Sequence, residues 1–138
     1  MSRRTIVAGN WKLNKNAAET RRFFIEFKNK LAGIQSRADV VICPPFVSLE
    51  TAVDAAKDTA IATGAQNVYW ESSGAFTGEV SPEMLESIGV RYVLLGHSER
   101  RAIFGETDEH VNRKLQAVLT TGLIPVVCVG EVLEQRER

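Results

Sequence analysis

The sequence predicts a parallel α/β domain, and two observations carry that prediction. Short apolar runs alternate with amphipathic stretches in the order βαβαβαβαβ, which implies parallel strands joined by right-handed helical crossovers. The apolar runs are continuous rather than alternating with polar residues, as expected for strands covered on both faces. A chain of 138 residues with 44% hydrophobic and 25% charged residues is sufficient for one domain with a real core. We read residues 1–138 as a single domain, with no linker and no low-complexity segment.

Thr5-Ile6-Val7-Ala8-Gly9 reads as a buried strand, followed by a helix over Ala17 to Leu31 whose Phe23, Phe24, Phe27 and Leu31 form one apolar face. Asp39-Val40-Val41-Ile42-Cys43 is a second strand, stopped by Pro44-Pro45, and a helix is predicted from about Phe46 to Lys57. Ala60-Ile61-Ala62-Thr63-Gly64 is a weaker third strand. Ala65 to Val80, with Asn67, Ser72, Ser73, Gly74 and Gly78, is a long loop of the kind that serves a site or a partner. Ser81-Pro82-Glu83 has the composition of a helix start, with an N-cap serine, proline at the first helical position and an acid in the first turn; Gly89 stops that helix. Arg91 to Leu95 is the fourth strand. The polar residues after it can open a helix, and Thr107-Asp108-Glu109 begins another. Val111, Leu115, Val118 and Leu119 give that helix its apolar face, and Gly122 ends it. Ile124-Pro125-Val126-Val127-Cys128-Val129 is the fifth strand, with proline tolerated near its start.

Charge is balanced, 17 Lys+Arg against 17 Asp+Glu, which argues against a nucleic-acid binder working through bulk positive charge. No apolar run approaches the ~20 residues of a membrane span. Met1-Ser2-Arg3-Arg4 leads into only a short apolar stretch, unlike a signal peptide, so a cytoplasmic location is expected, with no membrane partner. Cys43 and Cys128, each in an apolar strand-like run, then read as buried free thiols in a reducing compartment.

Polar residues gather where a parallel sheet places its C-terminal edge. Asn10 and Lys12 follow the first strand, His97 and Glu99 the fourth, and Glu131 the fifth. An amide, a cation, an imidazole and carboxylates on one rim suit a small anionic substrate whose reaction builds negative charge on oxygen. Each residue alone has an ordinary alternative: Asn10 capping a turn, Lys12 solvated in a loop, His97 structural, Glu99 in a surface ion pair with Arg100 or Arg101. Their convergence on one rim favours the functional reading. The first strand–helix junction, Gly9-Asn10-Trp11-Lys12, lacks the glycine fingerprint of a dinucleotide fold. Periodicity by itself leaves an open doubly wound sheet and a barrel both possible.

Four segments carry a specific resemblance: Ala8-Gly9-Asn10-Trp11-Lys12-Leu13-Asn14, Gly74-Ala75-Phe76-Thr77-Gly78-Glu79-Val80-Ser81, Gly96-His97-Ser98-Glu99-Arg100-Arg101 and Val127-Cys128-Val129-Gly130-Glu131. In this order and at this spacing they resemble the signatures of the triosephosphate isomerases, and the resemblance covers the whole chain. It implies a (β/α) barrel, here an incomplete TIM barrel of about five strands. It implies interconversion of dihydroxyacetone phosphate and glyceraldehyde 3-phosphate through an enediolate, in glycolysis and gluconeogenesis, with no metal and no cofactor. Asn10, Lys12 and His97 would be the catalytic residues lining the site, with Asn10 and Lys12 also binding substrate. His97 would be the electrophile that polarises the carbonyl; the family is itself the reference case of a neutral histidine at a helix N-terminus. Glu99 would be a buried partner near Lys12, with Cys128 and Glu131 in supporting positions. The loop Ala65–Val80 would enter a neighbouring subunit of a dimer, with Thr77 at its tip and Glu79 pairing with Arg100 across the interface.

A complete barrel of this kind needs roughly 250 residues. The family's catalytic glutamate, its closing segment and its later phosphate-binding turns match nothing in these 138 residues. Two expectations follow. The chain alone is inactive. Its first and fifth strands are bare edges that recruit a second copy or a complementary barrel fragment. The alternatives are a non-catalytic half-barrel assembly module and a small phosphate-binding α/β domain of unrelated chemistry.

Overall fold

The computed structural model describes residues 3–34 and 37–137. Met1, Ser2, Gln35, Ser36 and Arg138 lie outside the described residues, and with them the start of the N-terminal segment and the end of the charged C-terminal run. Five strands, β1 (Thr5–Asn10), β2 (Ala38–Cys43), β3 (Ile61–Ala65), β4 (Tyr92–Leu95) and β5 (Ile124–Val127), form one sheet in sequential order. All four pairings are parallel. The sheet is a curled half-barrel, the partial (β/α) barrel that the resemblance implies. Six helices are described: α1 (Ala17–Leu31), α2 (Leu49–Ala56), α3 (Pro82–Ser87), α4 (Ser98–Phe104), α5 (Asp108–Leu119) and α6 (Leu133–Arg136).

Strand alternation sorts the side chains into two layers. On one face Val41, Cys43, Tyr92 and Leu94 pack together with Ala62 and Val126. On the other, Ile42 and Ile61 meet Phe24, Ala52 and Ala56 from α1 and α2. Further along that face, Val93 and Leu95 meet Leu85, Val111 and Val118 from α3 and α5. Each fully buried Val, Leu or Phe in these layers contributes about 1.5–3 kcal/mol. Gly64 permits the close approach of β2 to β3 on the inner face, where an added Cβ would lie 2.6 Å from Cys43 Sγ.

Local signals hold the helix starts. Asn16 and Glu19 form a reciprocal capping box before α1. Ser81 accepts from Met84 N–H with Pro82 at the first helical position, as the sequence predicts. The helix expected from Phe46 begins as a short 3-10 turn, Phe46–Ser48, and becomes α-helical only at Leu49.

Two readings of burial are corrected. The first strand is not buried: Ile6 and Val7 are 47% and 59% exposed, because β1 is an edge with a neighbour on one side only among the described residues. In α5, Leu119 is 59% exposed, whereas Lys114 is buried alongside Val111 and Val118. A charged residue holds a core position there because Glu106 and Asn67 accept from its ammonium. Among the described residues no helix is long and apolar enough to cross a membrane.

Candidate functional site

The site is assembled at the C-terminal ends of β1 and β4. Asn10 is the last residue of β1, paired in register with Cys43 of β2. Its Oδ1 accepts from Lys12 N–H at 3.0 Å, which turns the chain immediately after the strand. Lys12 follows in the left-handed region, φ 54°, unusual for a residue with a Cβ and costing about 1–2 kcal/mol. That cost is offset by bonds on both sides of the residue. Its N–H is held by Asn10, and its carbonyl accepts from Gln66 Nε2 at 3.0 Å.

At the tip of β4 the chain leaves through Gly96, φ 68°. A Cβ there would lie 2.7 Å from Val111 Cγ2. The Gly96 carbonyl accepts from Arg101 Nε at 2.7 Å, so the turn is fixed by the helix it leads into. His97 is the N-cap of α4, and its Nδ1 accepts from Glu99 N–H at 3.2 Å. This bond assigns the tautomer: Nδ1 uses its lone pair and carries no proton, so the neutral ring has its hydrogen on Nε2. Glu99 Oε2 lies 3.5 Å from the same Nδ1.

Lys12 and Glu99 close the gap between the two strands. Lys12 Nζ donates to Glu99 Oε1 at 2.6 Å across 87 residues of sequence. That bond and the ammonium's charge hold the Glu99 carboxyl below its ordinary range. The expected partnership of Glu99 with Lys12 is present, but the expected burial is not: the Glu99 side chain is 43% exposed, on an open rim. Three groups thus meet here: an ammonium, a carboxylate that tethers it, and an imidazole with a free Nε2–H donor. Such a set can bind an anion and donate a hydrogen bond to a carbonyl oxygen.

The other residues singled out in the sequence are placed differently. Cys128 is half-buried just past β5, where its N–H donates to Leu95 O at 2.8 Å and continues the β4–β5 pairing. Cys128 and the buried Cys43 are both free thiols. Glu131 is exposed, 3.6 Å from Arg136, and takes no part in the Lys12 group. Thr77 and Glu79 are exposed on the loop between β3 and α3. Tyr69 N–H donates to Val80 O at 2.8 Å and closes the neck of that loop, while the Tyr69 ring packs on Trp70 and Phe76. Arg100 lies within its own chain against Glu106, Nε to Oε2 3.6 Å, and over the Phe104 ring.

Two residues at the root of the loop escaped sequence reasoning. Gln66 bridges Lys12 O and Cys43 O, and Asn67 accepts from the buried Lys114. Neither carries a local signal beyond being polar in a polar loop. Only the parallel register, which brings the end of β3 beside the ends of β1 and β2, gives them partners.

The fold agrees with comparison to known proteins. The family model described as triosephosphate isomerase matches residues 5–138. A curated triosephosphate isomerase of Carboxydothermus hydrogenoformans is 54% identical over 136 residues, covering 99% of this chain and 54% of that protein. Those of Dictyoglomus thermophilum and a Synechococcus species are 52% and 50% identical, covering 99% and 96% of this chain and 54% of each relative. The chain spans about half the length of the curated relatives it matches. With a five-stranded parallel half-barrel and a family match along nearly all of its length, the chain belongs to the triosephosphate isomerase family.

Proposed function

We propose that these residues supply the electrophile-and-cation half of a site that interconverts dihydroxyacetone phosphate and glyceraldehyde 3-phosphate, a step of glycolysis and gluconeogenesis in the cytoplasm. The observation that carries this reading is the Lys12–Glu99–His97 group at the strand tips. Removing a proton beside the carbonyl leaves an enediolate, whose charge sits on oxygen. The His97 Nε2–H donates to that oxygen, and a neutral imidazole does so without first giving up a charge. The Lys12 ammonium supplies positive charge for the phosphate and the enediolate, and the Asn10 amide fixes the turn that presents it. No metal or cofactor is required for this chemistry.

The base is the missing role. Glu99 is committed to Lys12 and Glu131 faces Arg136, so neither carboxylate is placed to take the carbon-bound proton. General-base catalysis contributes about 10²–10⁴-fold, and closure over the substrate adds more. The 138 residues by themselves therefore turn over at background in a coupled isomerase assay. Turnover within a hundredfold of a full-length relative would refute this.

The exposed Ile6 and Val7 of β1 and the exposed Ile124 and Val127 of β5 favour a partner at the sheet edges, a second copy or a complementary barrel segment. The loop carrying Thr77 and Glu79 is the proposed dimer contact, with Arg100 turning from Glu106 toward a partner's Glu79. Thr77→Glu should weaken self-association in sedimentation equilibrium; an unchanged association constant would remove the loop from the interface.

A further inference from the structure

We propose that Gln66 is a positioning residue for the Lys12 ammonium, acting through the Lys12 backbone; its value to catalysis rests on reading Lys12 as the substrate's cation. Lys12 holds a conformation that residues with a Cβ avoid, and it returns to negative φ unless both of its peptide links are held. Asn10 Oδ1 holds the link before its Cα by accepting the Lys12 N–H at 3.0 Å. Gln66 Nε2 holds the link after it by donating to the Lys12 carbonyl at 3.0 Å. The same nitrogen donates to Cys43 O at 2.9 Å, a carbonyl that also accepts from Trp11 N–H at 3.0 Å. One half-buried amide at the exit of β3 therefore ties the end of β2 to the turn after β1.

The consequence lies at the far end of the lysine side chain. Lys12 reaches Glu99 on α4, and the 2.6 Å contact depends on where its Cα points the four methylenes. With Gln66 removed, Asn10 still restrains φ but no other hydrogen bond among the described residues restrains the Lys12 carbonyl, so ψ is free and the ammonium leaves Glu99. A side chain that merely supported the loop would have no such effect on Glu99.

The Glu99 carboxyl reports this without substrate. Its titration is followed by carbon-detected NMR in the 138-residue chain and in Lys12→Met, Gln66→Met and Gln66→Asn variants. Lys12→Met should raise the Glu99 midpoint, giving the full effect of losing the ammonium. Gln66→Met, equal in length but with no donor, should raise it by at least half as much. Gln66→Asn, a donor too short to reach, should behave the same way. A folded Gln66→Met whose Glu99 midpoint stays at the parent value would overturn the proposal. If the variants do not fold, the unsubstituted chain decides: Gln66 side-chain amide protons exchanging as fast as those of a free glutamine would overturn it, and protected ones would support it. Because no triose is present, this result and the isomerase assay can fail independently.

Discussion

Replacing Glu106 by glutamine should destabilise the chain more than any single surface change, and more than replacing its partner Lys114. Glu106 and Lys114 side chains are 3% and 6% exposed. The Lys114 ammonium donates to Glu106 Oε1 and to Asn67 Oδ1, the latter at 2.7 Å. Glu106 Oε2 faces Arg100 Nε at 3.6 Å, and neither of those atoms has a hydrogen-bond partner among the described residues. One carboxylate thus neutralises two cations. Glu106→Gln strands the buried Lys114 ammonium, while Arg100, 32% exposed, stays in reach of solvent; removing one partner of a buried pair costs about 3–5 kcal/mol. Lys114→Met leaves the carboxylate facing Arg100 and should cost less. Glu106→Leu with Lys114→Met removes both buried charges and should recover at least about 1.5 kcal/mol relative to Glu106→Gln. Domains of this size are stable by only about 5–15 kcal/mol. With m about 1–3 kcal/mol/M, the urea midpoint of Glu106→Gln should fall by about 1 M or more. Tryptophan fluorescence follows the transition, since Trp70 stacks on His110 of the helix that carries Lys114. A loss under about 1 kcal/mol, or a larger loss for Lys114→Met, would refute the charge accounting.

Three further outcomes are expected. The Glu99 carboxyl is held below its ordinary range, so its pairing stabilises the fold above the unfolded value and that stability is lost as pH falls through the lowered folded value. Lys12→Met should therefore flatten the acid limb of the stability–pH curve, and an unchanged limb would show that the pair contributes nothing. Burial pushes the Cys43 thiol up to about 11, with nearby Cys128 adding to the effect, so at pH 8 a thiol reagent should label Cys128 first and Cys43 only on unfolding; equal rates would contradict this. Gly96→Ala should cost about 2 kcal/mol or more by thermal unfolding, from the left-handed backbone and the contact with Val111; a shift in Tm of under 1 °C would contradict it.

The order of strands and helices was legible because four of the five strands are short apolar runs with glycine or proline near their ends: Gly9, Pro44-Pro45, Gly64 and Gly96. The rim was legible for a related reason. Parallel strands put every C-terminal end on one side, so Asn10, Lys12, His97 and Glu99 could be grouped before any distance was known. What could not be read depends on contacts distant in sequence. Lys114 lies next to Leu115 and looks like the polar side of α5 until Glu106 and Asn67 are brought over it. Gln66 looks like ordinary loop polarity until β1 and β2 end beside it. The exposure of Ile6 and Val7 is not visible in the local apolar pattern of β1; it follows instead from the bare edge that the resemblance implied for the first strand. The barrel itself came from the resemblance, since alternating strands and helices fit an open sheet equally well.

The central claim is that these residues form the electrophile-and-cation half of a triose phosphate isomerising site. The most direct test joins this chain, in place of the matching segment, to the remainder of a full-length relative, and measures isomerase turnover with and without His97→Gln. The account predicts an active chimera that loses about 10²–10⁴-fold on the substitution, with the chain alone at background. A folded chimera with no turnover, or one indifferent to His97→Gln, would contradict it.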